Sequence, residues 1–212
     1  MRTQAILWLT LITAAPWIPF FAWVLPATTL VSYAVLWRIV DAGRTLADGI
    51  TAVRLVALVV ATATAAALGG LPAWLVVALC VTVSGDLLDG WAARHFGGTP
   101  GGALLDMEAD QFTTLALAEL AWLYLGASPF VLALPLFRYA YVLVMSARGK
   151  PIHDPKPLDG DNRRAKTICA IVVVLQLIML LPTASPALRT GLTTTAIALF
   201  AISYASDGKN VS

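Results

Sequence analysis

Charge is scarce in this chain of 212 residues: 12% of them are Asp, Glu, Lys or Arg, against 59% that are apolar. A soluble domain carries roughly twice that share of charge, so a water-facing surface all round is excluded and an integral membrane protein is expected. Histidine and cysteine are rarer still, at two each. Cys80 and Cys169 lie in apolar runs with no His at ligand spacing, which argues against a disulfide framework or a zinc site and leaves them as packing residues. Strand-like alternation, internal repeats, low-complexity segments and lipidation motifs are also missing, so the spanning elements must be helices. A net charge of +2 gives no reason to expect a nucleic-acid partner.

Gly, Pro and charge divide what is there into apolar runs of about the 20 residues that a membrane crossing requires. Six are well defined: residues 51–68, 72–91, 103–125, 130–147, 167–181 and 186–204. The fold expected is all-α, a polytopic six-helix transmembrane core in one domain, 41–212. Ahead of it, residues 1–40 form a hydrophobic extension, interrupted by Pro16, Pro19 and Pro26, that supplies one or two further N-terminal helices. This segment lacks a convincing cleavage site and is read as retained, with Trp17, Trp23 and Trp37 suited to interfacial anchoring. Arg38, Arg44 and Arg54 flank the first core run, and Arg148, Lys150, Lys156, Arg163, Arg164 and Lys166 fill the longest loop. Positive loops stay in the cytoplasm, and alternate crossings put residues 95–101 on the same side.

The few acids are not scattered. Of twelve, five fall in one stretch: Asp86, Asp89, Asp106, Glu108 and Asp110. Asp86 and Asp89 share a helix face near the end of the second run, and Asp106 and Asp110 do so on the third. The short connection makes these runs antiparallel neighbours whose carboxylate pairs face each other. Glu108 is turned about 200° from Asp106 and points elsewhere. Four ionised carboxylates at close range repel strongly, and two divalent cations would cancel them. Oxygen donors without Cys or His favour Mg²⁺, Mn²⁺ or Ca²⁺, and paired ions suit a diphosphate. Gly90, Ala93 and Gly102 leave room for a ligand or a neighbouring backbone, and Arg94 adds a guanidinium fork suited to phosphate.

The frame Asp86-x-x-Asp89-Gly90-x-x-Ala93-Arg94, followed after seven residues by Gly102-x-x-x-Asp106-x-x-x-Asp110, resembles the signature of the CDP-alcohol phosphatidyltransferases. Its gap is one residue shorter than the family pattern, and the resemblance covers roughly residues 48–204. It implies a homodimeric membrane enzyme that moves a phosphatidyl group from a CDP-linked lipid such as CDP-diacylglycerol to an alcohol, releasing CMP. Carried over by position, it makes Asp86, Asp89, Asp106 and Asp110 ligands of Mg²⁺ or Mn²⁺, two ions, with Asp110 also the catalytic base. Gly90, Ala93, Arg94, Thr99 and Gly102 belong to the CDP-lipid site, as do Asp48 and Thr51 at the opening of the first core helix. Thr51 has an equally good reading as a helix-start residue.

The acceptor is read from cations. Arg138 lies inside the fourth run, where a lone charge needs a reason, and Arg164 and Lys166 lie where the fifth begins. Together they suit a phosphorylated polyol such as glycerol 3-phosphate, with inositol phosphate, a neutral alcohol or a lipid alcohol as alternatives; positive charge beside a membrane explains residues 163–166 equally simply. A carboxylate-based cation transporter is the rival from another class. It accounts for the four Asp but not for Gly90, Ala93 and Arg94 at fixed offsets.

Overall fold

The computed structural model describes residues 45–149 and 160–209. All regular structure among them is helical. The extension 1–40, its tryptophans, Arg38, Arg44, Lys150, His153 and Lys156 lie outside the described residues. The chain divides after Leu125 into two compact units.

The first unit contains α1 (Leu46–Leu68), α2 (Ala73–Ser84), α3 (Asp86–Phe96) and α4 (Pro100–Leu125). Helix α1 opens with a capping box: the Thr45 hydroxyl accepts from the Asp48 N–H, and the Asp48 carboxylate accepts from the Thr45 N–H. Two donors that the first turn would leave orphaned are thereby satisfied. Its other end closes on Gly69, in the left-handed region at φ 61°. There the Gly70 N–H reaches Ala65 O and the Gly69 N–H reaches Ala66 O, a paired closure that glycine adopts without a Cβ penalty.

The faces of α1 are inverted relative to a water-soluble helix. Asp48, Thr51 and Arg54 are buried along with Leu55, Leu58 and Ala61, whereas Val53, Val56 and Val60 are exposed. Polar groups turned inward and valines turned outward suit hydrocarbon as the surrounding medium. Helix α1 and the rod Ala73–Phe96 are each long and apolar enough to cross a membrane. Helix α1 packs against α2, α3 and α4, which makes it the axis of the unit.

The second apolar run is not one uniform helix. It changes from α2 to α3 at Gly85, whose N–H is shared between Val81 O and Thr82 O at 3.2 Å each. Hydrogen bonding resumes at once, with Leu88 N and Asp89 N donating to Gly85 O. The result is a tightened joint within a single rod, immediately before Asp86. The following loop is shorter than expected, because α3 continues to Phe96 and α4 begins at Pro100. Thr99 ends it as a cap: its Oγ1 accepts from the Gly102 N–H at 2.9 Å. Pro100 sits at the first helical position, where no N–H is required.

The second unit contains a 3-10 turn (Pro129–Leu132), α5 (Ala133–Ala147), α6 (Gly160–Met179) and α7 (Pro186–Lys209). Helix α7 packs on α6 and α5. Buried Arg189 on α7 donates to Met179 O and Leu181 O, supplying donors to carbonyls at the end of α6 that have no intrahelical partner. Helix α6 starts earlier than the apolar run, so Arg164 and Lys166 stand on a helix and not in a loop. Cys169 is exposed and not a core residue.

Replacing Thr45 with Ala removes its hydroxyl from the capping box and is expected to cost about 1 kcal/mol of stability. Thermal unfolding of the detergent-solubilised protein should show a lower midpoint for Thr45→Ala and a midpoint near the parent for Thr45→Ser.

Candidate metal and diphosphate site

The four aspartates of the frame converge, but on a residue outside it. Arg54, two turns into α1 and 5% exposed, extends into their midst. Its Nη1 lies 2.5 Å from Asp86 Oδ1 and 3.0 Å from Asp89 Oδ2, and its Nη2 lies 3.2 Å from Asp106 Oδ1 and 3.0 Å from Asp110 Oδ1. Three helices therefore meet through one guanidinium. The carboxylate pairs of α3 and α4 do face each other as expected, with a side chain of α1 between them.

The Arg54 stem runs past Gly85. A Cβ built there would lie 3.7 Å from Arg54 Cδ and 3.8 Å from Cγ, so the arginine stem passes over the joint between α2 and α3. Any bulkier side chain would compete with it for that space.

The aspartates are not equivalent. Asp86, Asp106 and Asp110 have side chains 48%, 41% and 49% exposed, whereas Asp89 is 3% exposed. The three exposed carboxylates offer oxygens that all lie within 4.8 Å of one another. Such a set of hard donors fits a divalent cation. Asp89 lies deeper: its Oδ2 is 3.1 Å from Thr51 Oγ1, while its Oδ1 is buried without a hydrogen-bond partner. A buried carboxylate oxygen with no donor is costly, and a cation is the partner that would satisfy it. Glu108 is buried and takes no part in the three-carboxylate group.

The other frame positions have distinct surroundings. A Cβ added at Gly90 would meet only Arg94 Nη1, at 3.5 Å. Arg94 thus folds back over Gly90; it is exposed and makes no ion pair among the described residues. Ala93 packs beneath the loop, 3.6 Å from where a Gly98 Cβ would sit. Gly102 is a point of contact between helices. A Cβ there would overlap Asp48 Oδ1 and approach Thr99 Oγ1 to 3.1 Å, so its smallness lets the start of α1 sit against the start of α4.

Asp48, in turn, is occupied by the capping box and by Gly102. Thr51 is not the helix-start residue, since Thr45 holds that role. Its Oγ1 stands instead between Ala47 O and Asp89 Oδ2, inside the cluster. Thr99 caps α4. His95 is exposed, its ring tilted against Trp91 with centroids 4.6 Å apart. Arg138, Arg164 and Lys166 belong to the second unit: Arg138 is buried on α5, and the other two are exposed near the start of α6.

Arg54 was visible in the sequence only as a positive charge flanking an apolar run. The signal that identifies it is its offset of three from Thr51, which puts both on one helix face, together with its place inside a membrane-length helix, where a cation needs counter-charges.

The protein-family model described as CDP-alcohol phosphatidyltransferase matches residues 44–206. Neither a curated protein nor a solved structure matches the chain significantly. The match spans the whole carboxylate frame and every helix described above except the last three residues of α7.

Gly102→Ala is expected to destabilise the protein by about 1–3 kcal/mol through overpacking against Asp48. In an Asp48→Ala background the same change should cost clearly less, a coupling that a double-mutant cycle on unfolding midpoints would measure. With its carboxylate frame intact and its membrane-length helices in place, this chain belongs to the CDP-alcohol phosphatidyltransferase family of membrane enzymes.

Proposed function

We propose that the protein transfers the phosphatidyl group of a CDP-linked lipid, such as CDP-diacylglycerol, to a small alcohol with release of CMP. The observation that carries this reading is the cluster of Asp86, Asp106 and Asp110 oxygens within 4.8 Å, with Arg94 further along α3 making no ion pair among the described residues. Asp86, Asp89, Asp106 and Asp110 would hold divalent ions, Mg²⁺ or Mn²⁺, two in number. Ions bound there would draw charge from a diphosphate and from the oxygens of the bond being exchanged.

The chain's own groups supply the rest. Arg94 pairs with a diphosphate oxygen, and the small Gly90 beneath it leaves space for the nucleotide to approach. Asp110 accepts the proton of the incoming hydroxyl as that oxygen bonds to the lipid-side phosphorus. The bond from that phosphorus to the CMP oxygen breaks, and CMP leaves with the electron pair. Asp89 and Thr51, buried side by side, orient the floor of the cluster. Positioning and charge neutralisation account for most of the rate effect in such a transfer.

A phosphorylated polyol such as glycerol 3-phosphate is the acceptor favoured by Arg138, Arg164 and Lys166, with inositol phosphate or a lipid alcohol as alternatives. We further propose six membrane crossings, formed by α1, the α2–α3 rod, α4, α5, α6 and α7. The carboxylate end faces the cytoplasm, and the working form is a homodimer. The transporter reading is less well supported, because it gives no role to Gly90, Ala93 and Arg94 at their fixed offsets, and three of the four carboxylates have side chains about half exposed.

Incubating the purified protein with CDP-diacylglycerol, Mg²⁺ and a panel of alcohols should release CMP. Asp110→Asn should lower the rate by at least about 100-fold, and EDTA should abolish it. Ion flux through reconstituted vesicles without CMP release for any acceptor would overturn the enzymatic reading. CMP should also raise the unfolding midpoint only when a divalent ion is present. Stabilisation of the same size in EDTA would contradict metal-mediated capture of the diphosphate.

A further inference from the structure

We propose that Arg54 is a built-in counter-cation for the site: it holds the four carboxylates together in the metal-free protein and competes with divalent ions for them. This rests on the metal reading above. The geometry leading to it is the placement of both terminal guanidinium nitrogens, each on two carboxylates drawn from α3 or α4. The Nε–H is buried and left without a partner. The fork is therefore set by the four negative charges and not by satisfying all of its own donors.

The charge count explains why such a device is useful. Four ionised carboxylates with one guanidinium still leave three negative charges uncompensated, so the cluster keeps a strong attraction for added cations. Without the guanidinium, the metal-free site would bring four like charges together at the junction of three helices. Freshly inserted or metal-depleted protein would be pushed apart there.

The arrangement also separates a fixed part from an exchangeable part. Asp89 is buried, held by Arg54 and by Thr51. Asp86, Asp106 and Asp110 are each about half open, and it is their oxygens that converge within ion-binding range. Arg54 thus keeps a permanent anchor at Asp89 while its contacts to the three open carboxylates are those that an incoming ion would contest. Arg54 is a positioning residue: its role is to present the carboxylates at a workable spacing and to set the ion concentration at which the site loads.

The test uses the full-length protein in detergent, with thermal unfolding followed in EDTA and across a Mg²⁺ titration. Arg54→Gln should unfold at a clearly lower temperature than the parent in EDTA. Mg²⁺ should restore most of that loss, with a half-saturating concentration at least about tenfold lower than for the parent, because a competing charge has been removed. Arg54→Lys keeps the charge without the fork and should fall between the two in both readouts. The double variant Arg54→Gln/Asp89→Asn removes one negative charge with the positive one, and should recover part of the stability in EDTA.

An EDTA midpoint for Arg54→Gln equal to the parent's would overturn the proposal, as would an unchanged or higher half-saturating Mg²⁺ concentration. Should Arg54→Gln fail to accumulate, Arg54→Lys decides through the same two readouts, and parent-like behaviour in both would overturn it. A parent protein whose stability ignores Mg²⁺, Mn²⁺ and Ca²⁺ would overturn the metal reading and the competition together. Loss of stability by Arg54→Gln in EDTA, by contrast, supports the counter-charge whatever the identity of the ion.

Discussion

Mutual repulsion among four carboxylates is the constraint around which the first unit of this protein is organised. Asp86 and Asp89 come from α3, Asp106 and Asp110 from α4, and among the described residues the charge that touches all four is Arg54 of α1. A central helix with valines outward and Asp48, Thr51 and Arg54 inward is costly to build unless those polar groups find partners. Each does: Asp48 in the capping box, Thr51 on Asp89, and Arg54 in the carboxylates. The fold of this unit and its electrostatics are therefore two descriptions of one arrangement.

Small residues decide where that arrangement can close. Gly102 lets the first turn of α1 meet the first turn of α4, and Gly85 lies against the Arg54 stem where it crosses the rod formed by α2 and α3. Gly90 differs, since among the described residues only Arg94 Nη1 comes within 4 Å of where its Cβ would be. Two of these glycines serve packing and one leaves open space, a division that gives the frame both a structural and a ligand-facing part. Thr99 and Pro100 do comparable work at the turn, ending the loop and starting α4 within two residues.

Much of this was legible in the sequence. The apolar runs correspond to helices because each is long, continuous and bounded by Gly, Pro or charge, as at Gly69, Gly126 and residues 182–186. Residues 160–166 read as loop in the sequence because their polarity interrupts the apolar pattern, yet they are helical, since Asp and Asn suit a helix's first turn as well as they suit a loop. The family emerged from Asp86 to Asp110 because fixed offsets on two helices leave few alternatives. Arg54 gives no such signal, because the nearest of the four cluster carboxylates, Asp86, is 32 residues away. Its partner set depends on how α1 packs, which no local spacing encodes. Gly85 was overlooked for the same reason, since its neighbour is the stem of that arginine.

The most direct test of the central claim is an anomalous-difference map from crystals of the protein grown with Mn²⁺. The account predicts a peak among Asp86, Asp106 and Asp110, with the Arg54 guanidinium drawn off those carboxylates and still on Asp89. Arg54 remaining in contact with all four aspartates, with Mn²⁺ elsewhere or nowhere, would contradict it.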